Sequence, residues 1–331
     1  MADKVMAVDL VAGEGVETTF AVGEFKLLPF KNKPGHFLDL RLLDRSGEVT
    51  GRVWDDAEEL AAGLAVGQIV WVRGRVEEYK GARQLVVNDL QPAAPEEYDF
   101  ADFVRCASRP VEEMLAELDE LIASVETPPL RELLELVFAD EEFRAQFSVA
   151  PGAARLHHAC RGGLLEHSLS VAALCEQAAR RHPELHRDLL LTGALLHDIG
   201  KVQELQGELA YEYSEAGRFC GHIVLGDRLV MEKVAQCEGF PLQLRQLLTH
   251  LLLSHHGELQ YGAPVRPKIA EALALHYADN LDAKLQIFED YRHSAESGTG
   301  DWSPYHHSLE AQVYMGKVAP EGAAAEKGEP E

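Results

Sequence analysis

The chain has 331 residues, of which 46% are hydrophobic, and its formal net charge is −24. That length exceeds one typical domain, and the acidity argues against broad electrostatic adhesion to nucleic acid or membrane, although it allows a local groove for a phosphate chain. No apolar run approaches a membrane span, the N-terminus MADKVMAVDL lacks the apolar core of a signal peptide, and five scattered cysteines without a CxxC pair indicate reduced thiols. We therefore expect a cytoplasmic protein with no membrane partner.

The first region, residues 15–92, has the pattern of β-structure. Residues 37–42 alternate apolar and polar side chains, as a half-buried strand does. Further strands are predicted over 49–54, 69–76 and 84–87, with a short helix over 55–62 between the middle ones. This order is typical of the OB-fold, a small, partly open Greek-key barrel. A two-layer β-sandwich is the competing architecture.

Residues 93–150 are predicted to form a linker followed by connecting helices. The segment QPAAPEE (91–97) is rich in proline, alanine and glutamate, a composition that is typical of linkers. Apolar spacing then predicts amphipathic helices over 110–125 and 129–147.

From residue 151 to 317 the chain is predicted to be almost wholly helical, and the low-complexity residues 318–331 are predicted to be disordered. The predicted helices cover 164–181, 187–199, 222–237, 242–256 and 268–291. The expected fold class is therefore multidomain, with an N-terminal β-barrel of the OB-fold type followed by an all-α helical bundle.

The most informative motif is His197-Asp198, which follows the nearly continuous apolar run Leu189–Leu196. A polar pair at the end of a buried helix must find partners, because burying unpaired polar groups is costly. Gly200 is predicted to be the C-cap that releases the chain after this helix. Lys201, one turn from His197, is expected to direct its cation into the same cleft.

Further imidazoles and a carboxylate lie on neighbouring predicted helices, namely His167, His222, His255, His256 and Asp279. Helical bundles build metal sites from facing side chains, and imidazole with carboxylate suits manganese, iron, cobalt, nickel or zinc. Taken singly, His222, His255 and His256 are equally well explained as residues at helix ends, and Asp279 as a surface ion-pair partner. Their joint occurrence favours a metal-dependent hydrolase.

The pattern His167…His197-Asp198…Asp279 resembles the ligand signature of the HD superfamily of metal-dependent phosphohydrolases, and His222 with His255-His256 resembles the extra ligands of its binuclear members. Longer stretches are similar to the YhaM-type bacterial 3′–5′ exoribonucleases, which also carry an OB-fold before the HD domain: HHA (157–159), GGLLEH (162–167), HDIGK (197–201), GHI (221–223), SHHG (254–257) and LDAK (281–284). The chain departs from some HD-GYP proteins in having Gly163 where they carry a further glutamate ligand, so a third metal is not expected. The Gly-Tyr-Pro signature is also missing.

The resemblance implies a 3′–5′ exoribonuclease that hydrolyses single-stranded RNA, with DNA as a further candidate substrate, to nucleoside 5′-monophosphates. It implies two divalent ions, with manganese favoured. The first ion would be held by His167, His197, Asp198 and Asp279, and the second by Asp198, His222, His255 and His256. Asp198 and Lys201 would act in catalysis, the former by bridging the ions and the latter by stabilising charge on the phosphate oxygens.

The barrel is expected to grip single-stranded nucleic acid, with RNA favoured, through cations and stacking aromatic rings. The candidates are Lys31, Lys33, Phe37, Arg41, Trp54, Lys80 and Arg83. Strand alternation favours the barrel core for Phe37 and Trp54, and the cations also suit ordinary solvated turns, so the individual contacts stay open. A homo-oligomer is compatible with the sequence, which does not specify an oligomeric state.

Two other functions stay open from the residues. One is an HD phosphodiesterase of a small or cyclic nucleotide with a regulatory OB domain, although a mononucleotide needs no second domain for grip. The other is a non-catalytic nucleic-acid-binding protein with a helical scaffold. Against that alternative, none of the expected ligands is replaced by an inert residue.

Overall fold

A computed structural model describes residues 4–30, 32–79, 82–104, 106–154, 160–294, 301–306 and 309–316. Its N-terminal part is a closed five-stranded barrel with the strand order β1-β2-β3-β5-β4. The elements are β1 (Gly15–Pro29), β2 (His36–Asp44), β3 (Gly47–Val53), α1 (Ala57–Gly63), β4 (Ile69–Tyr79) and β5 (Ala82–Pro92). Neighbouring strands are antiparallel except β3 and β5, which run parallel. The predicted OB-fold is therefore confirmed, and the β-sandwich alternative is wrong.

The alternating pattern of β2 explains how the barrel closes around a core. Leu38, Leu40 and Leu42 are buried and join one hydrophobic cluster with side chains from the other strands. Phe37 and Arg41, at the alternate positions of the strand, lie on the outer face, because successive side chains of a strand point to opposite sides. One face of β2 thus holds the barrel together while the other meets solvent.

Three helices follow the barrel: α2 (Val111–Ala123), α3 (Pro128–Phe138) and α4 (Glu141–Val149). The single helix predicted over 129–147 is wrong, because the chain breaks between α3 and α4. Asp140 is the reason for the break: its Oδ1 accepts a hydrogen bond from the Phe143 N–H at 3.2 Å and caps α4.

The remainder forms the predicted helical bundle. Its helices are α5 (Gly163–Arg181), α6 (Arg187–Leu196), α7 (Lys201–Glu204), α8 (Glu215–Val234), α9 (Leu242–Ser254) and α10 (Ala270–Ser294). Leucines from α5, α6 and α9 meet in one buried cluster. Two short hairpins were not predicted: β6 (Leu205–Gln206) with β7 (Glu212–Tyr213), and β8 (Trp302–His306) with β9 (Ala311–Tyr314). Residues 318–331 lie outside the described part of the chain.

Gly200 serves a different purpose from the predicted C-cap, for which a left-handed backbone is usual. Its backbone is right-handed, with φ −62° and ψ −17°. A Cβ at this position would lie 2.0 Å from the carbonyl oxygen of His222. Only glycine therefore allows the start of α7 to touch the backbone of α8.

Helix α8 is two helical segments joined at Gly221. Ser214 caps the first segment, since its Oγ accepts from the Gly217 N–H at 2.9 Å. Gly221 has φ 71° and ψ 157°, a conformation in the region that favours glycine. The helix predicted to begin at His222 thus corresponds to the second segment, and the first segment was missed.

The barrel contacts the bundle through a small hydrophobic cluster. Ala21 and Ile69 of the barrel and Phe103 of the connection are buried together, and Leu209 between β6 and β7 packs against them. We call residues 205–213 the arm. Within the part of the chain that the structure describes, no helix combines the length and the apolar character needed to cross a lipid bilayer.

Candidate metal centre

The seven predicted ligands come together at one place in the bundle, although they lie far apart in the chain. α5 carries His167, the turn after α6 carries His197 and Asp198, and the second segment of α8 begins with His222. His255 and His256 follow directly after α9, and Asp279 lies in α10. Helix ends and facing helix surfaces thus supply all the side chains, as expected for a site in a helical bundle.

His167, His197 and Asp279 form the first ligand group, with one potential ligand atom of each within 4.8 Å of the others. The Nε2 atom of His167 lies 3.2 Å from Asp279 Oδ1 and 3.2 Å from the Nε2 of His197. The two imidazoles are buried. This group can surround a small cation or share a proton.

His222, His255 and His256 form the second ligand group, whose potential ligand atoms also lie within 4.8 Å of one another. The rings of His255 and His256 have centroids 4.5 Å apart, and the His222 and His256 centroids are separated by 5.1 Å. These three ligand candidates are all imidazoles, so a metal ion bound to them would take its carboxylate ligand from a residue outside the group.

Asp198 supplies that carboxylate and lies between the two groups. Its Oδ2 is 3.4 Å from His167 Nε2 and 3.3 Å from His197 Nε2. Its Oδ1 is 3.4 Å from His222 Nε2 and 3.6 Å from His255 Nε2. Each oxygen therefore faces a different group, which is the arrangement required of a bridging ligand.

Backbone carbonyls orient three of the imidazoles. The Nδ1 atoms of His197, His255 and His256 donate to the carbonyl oxygens of Ala194 (2.8 Å), Leu252 (2.7 Å) and Tyr261 (2.8 Å), respectively. A carbonyl can only accept, so the proton is on Nδ1 and the Nε2 lone pair is left for a ligand bond. In their neutral form, these rings are thus already in the tautomer that can bind a metal.

Burial and neighbouring charges shift the pKa values in opposite directions within the site. Burial lowers the pKa of His255 to about 4. Burial also opposes protonation of His167, but hydrogen bonds to Asp198, Asp279 and Asp282 outweigh it and hold its pKa well above the usual range. Without a cation, His167 of the first ligand group therefore holds an extra proton, whereas His255 of the second does not.

Lys201 contacts the shared carboxylate directly. Its Nζ donates to Asp198 Oδ2 at 2.6 Å, and both side chains are buried. Burial alone lowers the pKa of Lys201, but the attraction of Asp198 outweighs it and raises the pKa, so the side chain stays cationic. The burial of Asp198 is likewise outweighed by Lys201 and His197, which hold its pKa well below the usual range.

The second ligand group has the chemical character of a site for a cation. Asp198 Oδ1, His222 Nε2 and His255 Nε2 are buried, and none has a hydrogen-bond partner among the described residues. Buried polar atoms without partners are rare and point to an ion or water. Three imidazoles and a carboxylate fit manganese, iron, cobalt, nickel or zinc, so the residues present fit the expected metals.

Two carboxylates behind the ligands were not assigned from the sequence. Asp282 Oδ2 lies 2.6 Å from His167 Nδ1, and Glu204 Oε1 lies 3.1 Å from His222 Nδ1. Asp282 stands in the LDAK stretch and three residues after Asp279, so its helix position was a usable signal. Glu204 has no comparable signal, because the glutamate and its partner are 18 residues apart on either side of an unpredicted hairpin.

The predicted nucleic-acid residues separate into different parts of the barrel. Phe30, Phe37 and Trp54 form an aromatic cluster on the outside, with Phe37 and Trp54 centroids 5.0 Å apart and Phe30 stacked on Trp54 at 20°. Lys33 Nζ lies 4.0 Å from the Phe30 centroid. Trp54 is 38% exposed, so the expectation that Phe37 and Trp54 lie in the core is wrong.

The other predicted cations have partners or lie outside the described residues. Arg41 donates to Glu48 at 3.0 Å and lines a cavity between the barrel and the arm. Arg83 donates to the carbonyl oxygens of Val8 and Leu10 at 3.0 and 2.8 Å, which fastens the N-terminal segment. Lys31 and Lys80 lie outside the described residues.

Comparison with known proteins places both regions in families. The HD domain model matches residues 164–284, and the model described as an OB-fold nucleic acid binding domain matches residues 22–93. The 3'-5' exoribonuclease YhaM of Bacillus velezensis is 35% identical over 281 residues, covering 84% of this chain and 87% of the relative. The proteins of the same name from Bacillus subtilis (34%, 76% and 80% covered) and Bacillus pumilus (33%, 87% and 90% covered) are similar.

These relatives share both regions of the chain in the same order, and the match extends over most of their length. The expected family, fold class and enzyme class are thereby confirmed. The chain therefore belongs to the YhaM family, and it is a hydrolase of the nuclease type that joins an OB-fold to an HD domain.

Proposed function

We propose that the protein is a metal-dependent 3′–5′ exoribonuclease that degrades single-stranded RNA to nucleoside 5′-monophosphates. The single observation that carries the proposal is Asp198, whose two oxygens face two separate ligand groups. Sites with two metal ions are common in enzymes that cleave phosphate esters, such as phosphatases and nucleases. The names of the relatives give the polarity and the substrate class.

The first cation would be held by His167, His197, Asp198 and Asp279, and the second by Asp198, His222, His255 and His256. When bound, such cations neutralise charge on a phosphodiester and activate water at neutral pH. The protein itself fixes the imidazole tautomers and excludes bulk water from the ligands, which are mostly buried. Manganese is the favoured metal of the five that the ligands suit.

Lys201 supplies the charge nearest to the shared carboxylate. Because its ammonium is buried and stays protonated, it adds a positive charge beside Asp198 in a setting where charges are weakly screened. Preorganised charge of this kind stabilises negative charge that develops on phosphate oxygens. We assign Lys201 this role and assign no proton transfer to it.

The barrel would hold the RNA chain upstream of the scissile bond. In OB-folds the face of strands 2 and 3 binds oligonucleotides, and the aromatic cluster lies on that face, with Phe37 on β2 and Trp54 just after β3. Phe37 and Leu43 share the outer side of β2, about 20 Å apart at the usual rise per residue. Leu43 lines the cavity beside the arm, so this face runs from the aromatic cluster toward the bundle.

The proposal is tested with a 5′-labelled single-stranded RNA, a matched DNA, and a copy of the RNA whose 3′ end carries an inverted nucleotide. With manganese we expect stepwise shortening from the 3′ end, release of nucleoside 5′-monophosphates, protection of the blocked copy, and arrest by EDTA. Cyclic dinucleotides serve as the competing substrate. Faster hydrolysis of the cyclic dinucleotide than of RNA, or no hydrolysis with any of the five metals, would overturn the proposal.

A further inference from the structure

Each ligand group contains one histidine that is supported by a carboxylate instead of a backbone carbonyl. In the first group this is His167, whose Nδ1 lies 2.6 Å from Asp282 Oδ2. In the second group it is His222, whose Nδ1 lies 3.1 Å from Glu204 Oε1. A carboxylate behind a metal-binding imidazole fixes the ring orientation and makes the ring more basic.

Glu204 makes two contacts with His222, one to the ring and one to the backbone. Its Oε1 accepts from the His222 main-chain N–H at 2.9 Å in addition to facing Nδ1. The second segment of α8 begins at this residue, after Gly221. A helix start has N–H groups without helical partners and a positive end of the dipole, and a carboxylate satisfies both.

The backbone of Glu204 is itself held in place by α8. A Cβ on Gly217 would lie 2.3 Å from the Glu204 carbonyl oxygen, and a Cβ on Gly200 would lie 2.0 Å from the His222 carbonyl oxygen. Direct contact of backbone with backbone on both sides leaves α7 little freedom against α8. The carboxylate of Glu204, which is 7% exposed, therefore approaches His222 from a fixed position.

We infer that Glu204 is a positioning residue for the second cation, because it holds His222 with its Nε2 toward Asp198 Oδ1. This inference rests on the proposed function, since it assumes that the second ligand group binds a metal. Asp282 is the matching residue of the first group. Loss of such a supporting carboxylate weakens metal affinity by about 10- to 100-fold.

The test is calorimetric titration of the full-length, metal-free protein with Mn²⁺, in the wild type and in Glu204→Gln. Glutamine keeps an oxygen that can accept from the His222 N–H and removes the charge behind the ring. We expect one Mn²⁺ to bind as in the wild type and the other to bind about 10- to 100-fold more weakly. The control is Glu212→Gln, which changes an exposed glutamate on the arm that follows Glu204 and should leave both affinities unchanged.

A double variant identifies the affected group. His256→Ala removes a ligand of the second group only, so adding Glu204→Gln to it should change the remaining Mn²⁺ affinity by less than about threefold. Adding Asp282→Asn to His256→Ala should weaken that remaining site by about 10-fold or more. The opposite pattern would place Glu204 with the first group and overturn the inference.

The failure of this inference is distinct from the failure of the proposed function. Wild-type affinities for two Mn²⁺ ions in Glu204→Gln would overturn the role of Glu204 and leave the metal centre intact. A wild-type protein that bound no Mn²⁺ would overturn the metal-dependent function, and the role of Glu204 with it. Binding of two ions without RNA hydrolysis would overturn only the nuclease proposal.

Discussion

The candidate metal centre and the aromatic cluster on the barrel are built by opposite means. In this site, three of the five imidazoles are buried and each of the five has a hydrogen-bond partner for its Nδ1, so every ring has a defined direction. On the barrel, Trp54 is exposed and its neighbours are other rings and the Lys33 ammonium. The difference follows from the tasks: a cation requires ligand atoms at set positions, whereas a strand of variable sequence requires a surface on which any base can stack.

The largest expected effect comes from Asp198→Asn, which removes the carboxylate that faces both ligand groups while keeping the shape of the side chain. Stabilisation by metal is worth several kcal/mol, so we expect kcat on RNA to fall by at least about a thousandfold. The RNA dissociation constant should stay within about threefold, because the barrel is untouched. Filter binding and single-turnover kinetics measure the two quantities, with circular dichroism as the folding control. Turnover within about tenfold of the wild type would contradict the assignment of catalysis to the two ligand groups and of RNA binding to the barrel.

The pH dependence of the free energy of unfolding tests the burial of the imidazoles in the candidate metal centre. The pKa of His255 is lowered to about 4, against about 6.5 in an unfolded chain. Between these values the unfolded chain binds a proton that the native protein does not, so stability of the metal-free protein falls as the pH falls from 6.5 to 4. His167, with its raised pKa, stays protonated in the native protein, whereas in the unfolded chain it is protonated only as the pH falls below about 6.5; it therefore opposes the His255 slope at the upper end of this window and contributes little below it.

The expected contribution of His255 to this loss is about 3 kcal/mol. Urea unfolding of the metal-free wild type and of His255→Asn at pH 6.5, 5.5 and 4.5 measures it, and the variant should show a shallower dependence on pH. Equal slopes for the two proteins would mean that His255 is not held neutral by its surroundings.

The smallest expected effect lies on the exposed side of the comparison. Trp54→Ala should weaken binding of single-stranded RNA by about tenfold, since stacking on an aromatic ring is worth about 1–3 kcal/mol per base. Hydrolysis of bis(p-nitrophenyl) phosphate, which is too small to reach the barrel, should be unchanged. Trp302→Ala, which changes an exposed tryptophan of the C-terminal hairpin, is the matched control. If both variants bound RNA as the wild type does, the aromatic cluster would have no part in holding the substrate.

The clustering of the seven candidate ligands was predictable because each lies at a recognisable point of an apolar helix. His197-Asp198 follows a run of leucines, and His255-His256 follows another, so the polar residues stand out against their surroundings. Glu204 does not stand out in this way, because it reaches His222 only through the hairpin β6–β7 and the kink at Gly221, neither of which was predicted. The role of Gly200 could not be predicted either, because a glycine required for close backbone contact looks the same in the sequence as one that ends a helix.

The barrel was predictable as a fold but less so as a surface. Alternation along β2 distinguishes the inner from the outer face correctly. It does not show that aromatic side chains from other parts of the barrel gather on the outer face. Phe37 and Trp54 were therefore expected inside and lie outside. Arg83 illustrates the converse, because a cation in a predicted turn region is tied to two carbonyl oxygens of the N-terminal segment.

The arm has a practical consequence for anyone who recombines these domains. Leu209 packs against the barrel, and Glu204, only five residues earlier, supports His222. Five residues of fully extended chain reach at most about 18 Å. The residue that packs against the barrel, Leu209, is therefore closely linked to the residue that supports His222 in the bundle, Glu204. A chimera that joins this bundle to a different N-terminal domain would need a redesigned arm that packs against the new domain. Without that redesign, we expect the position of Glu204, and with it the orientation of the His222 imidazole, to be disturbed.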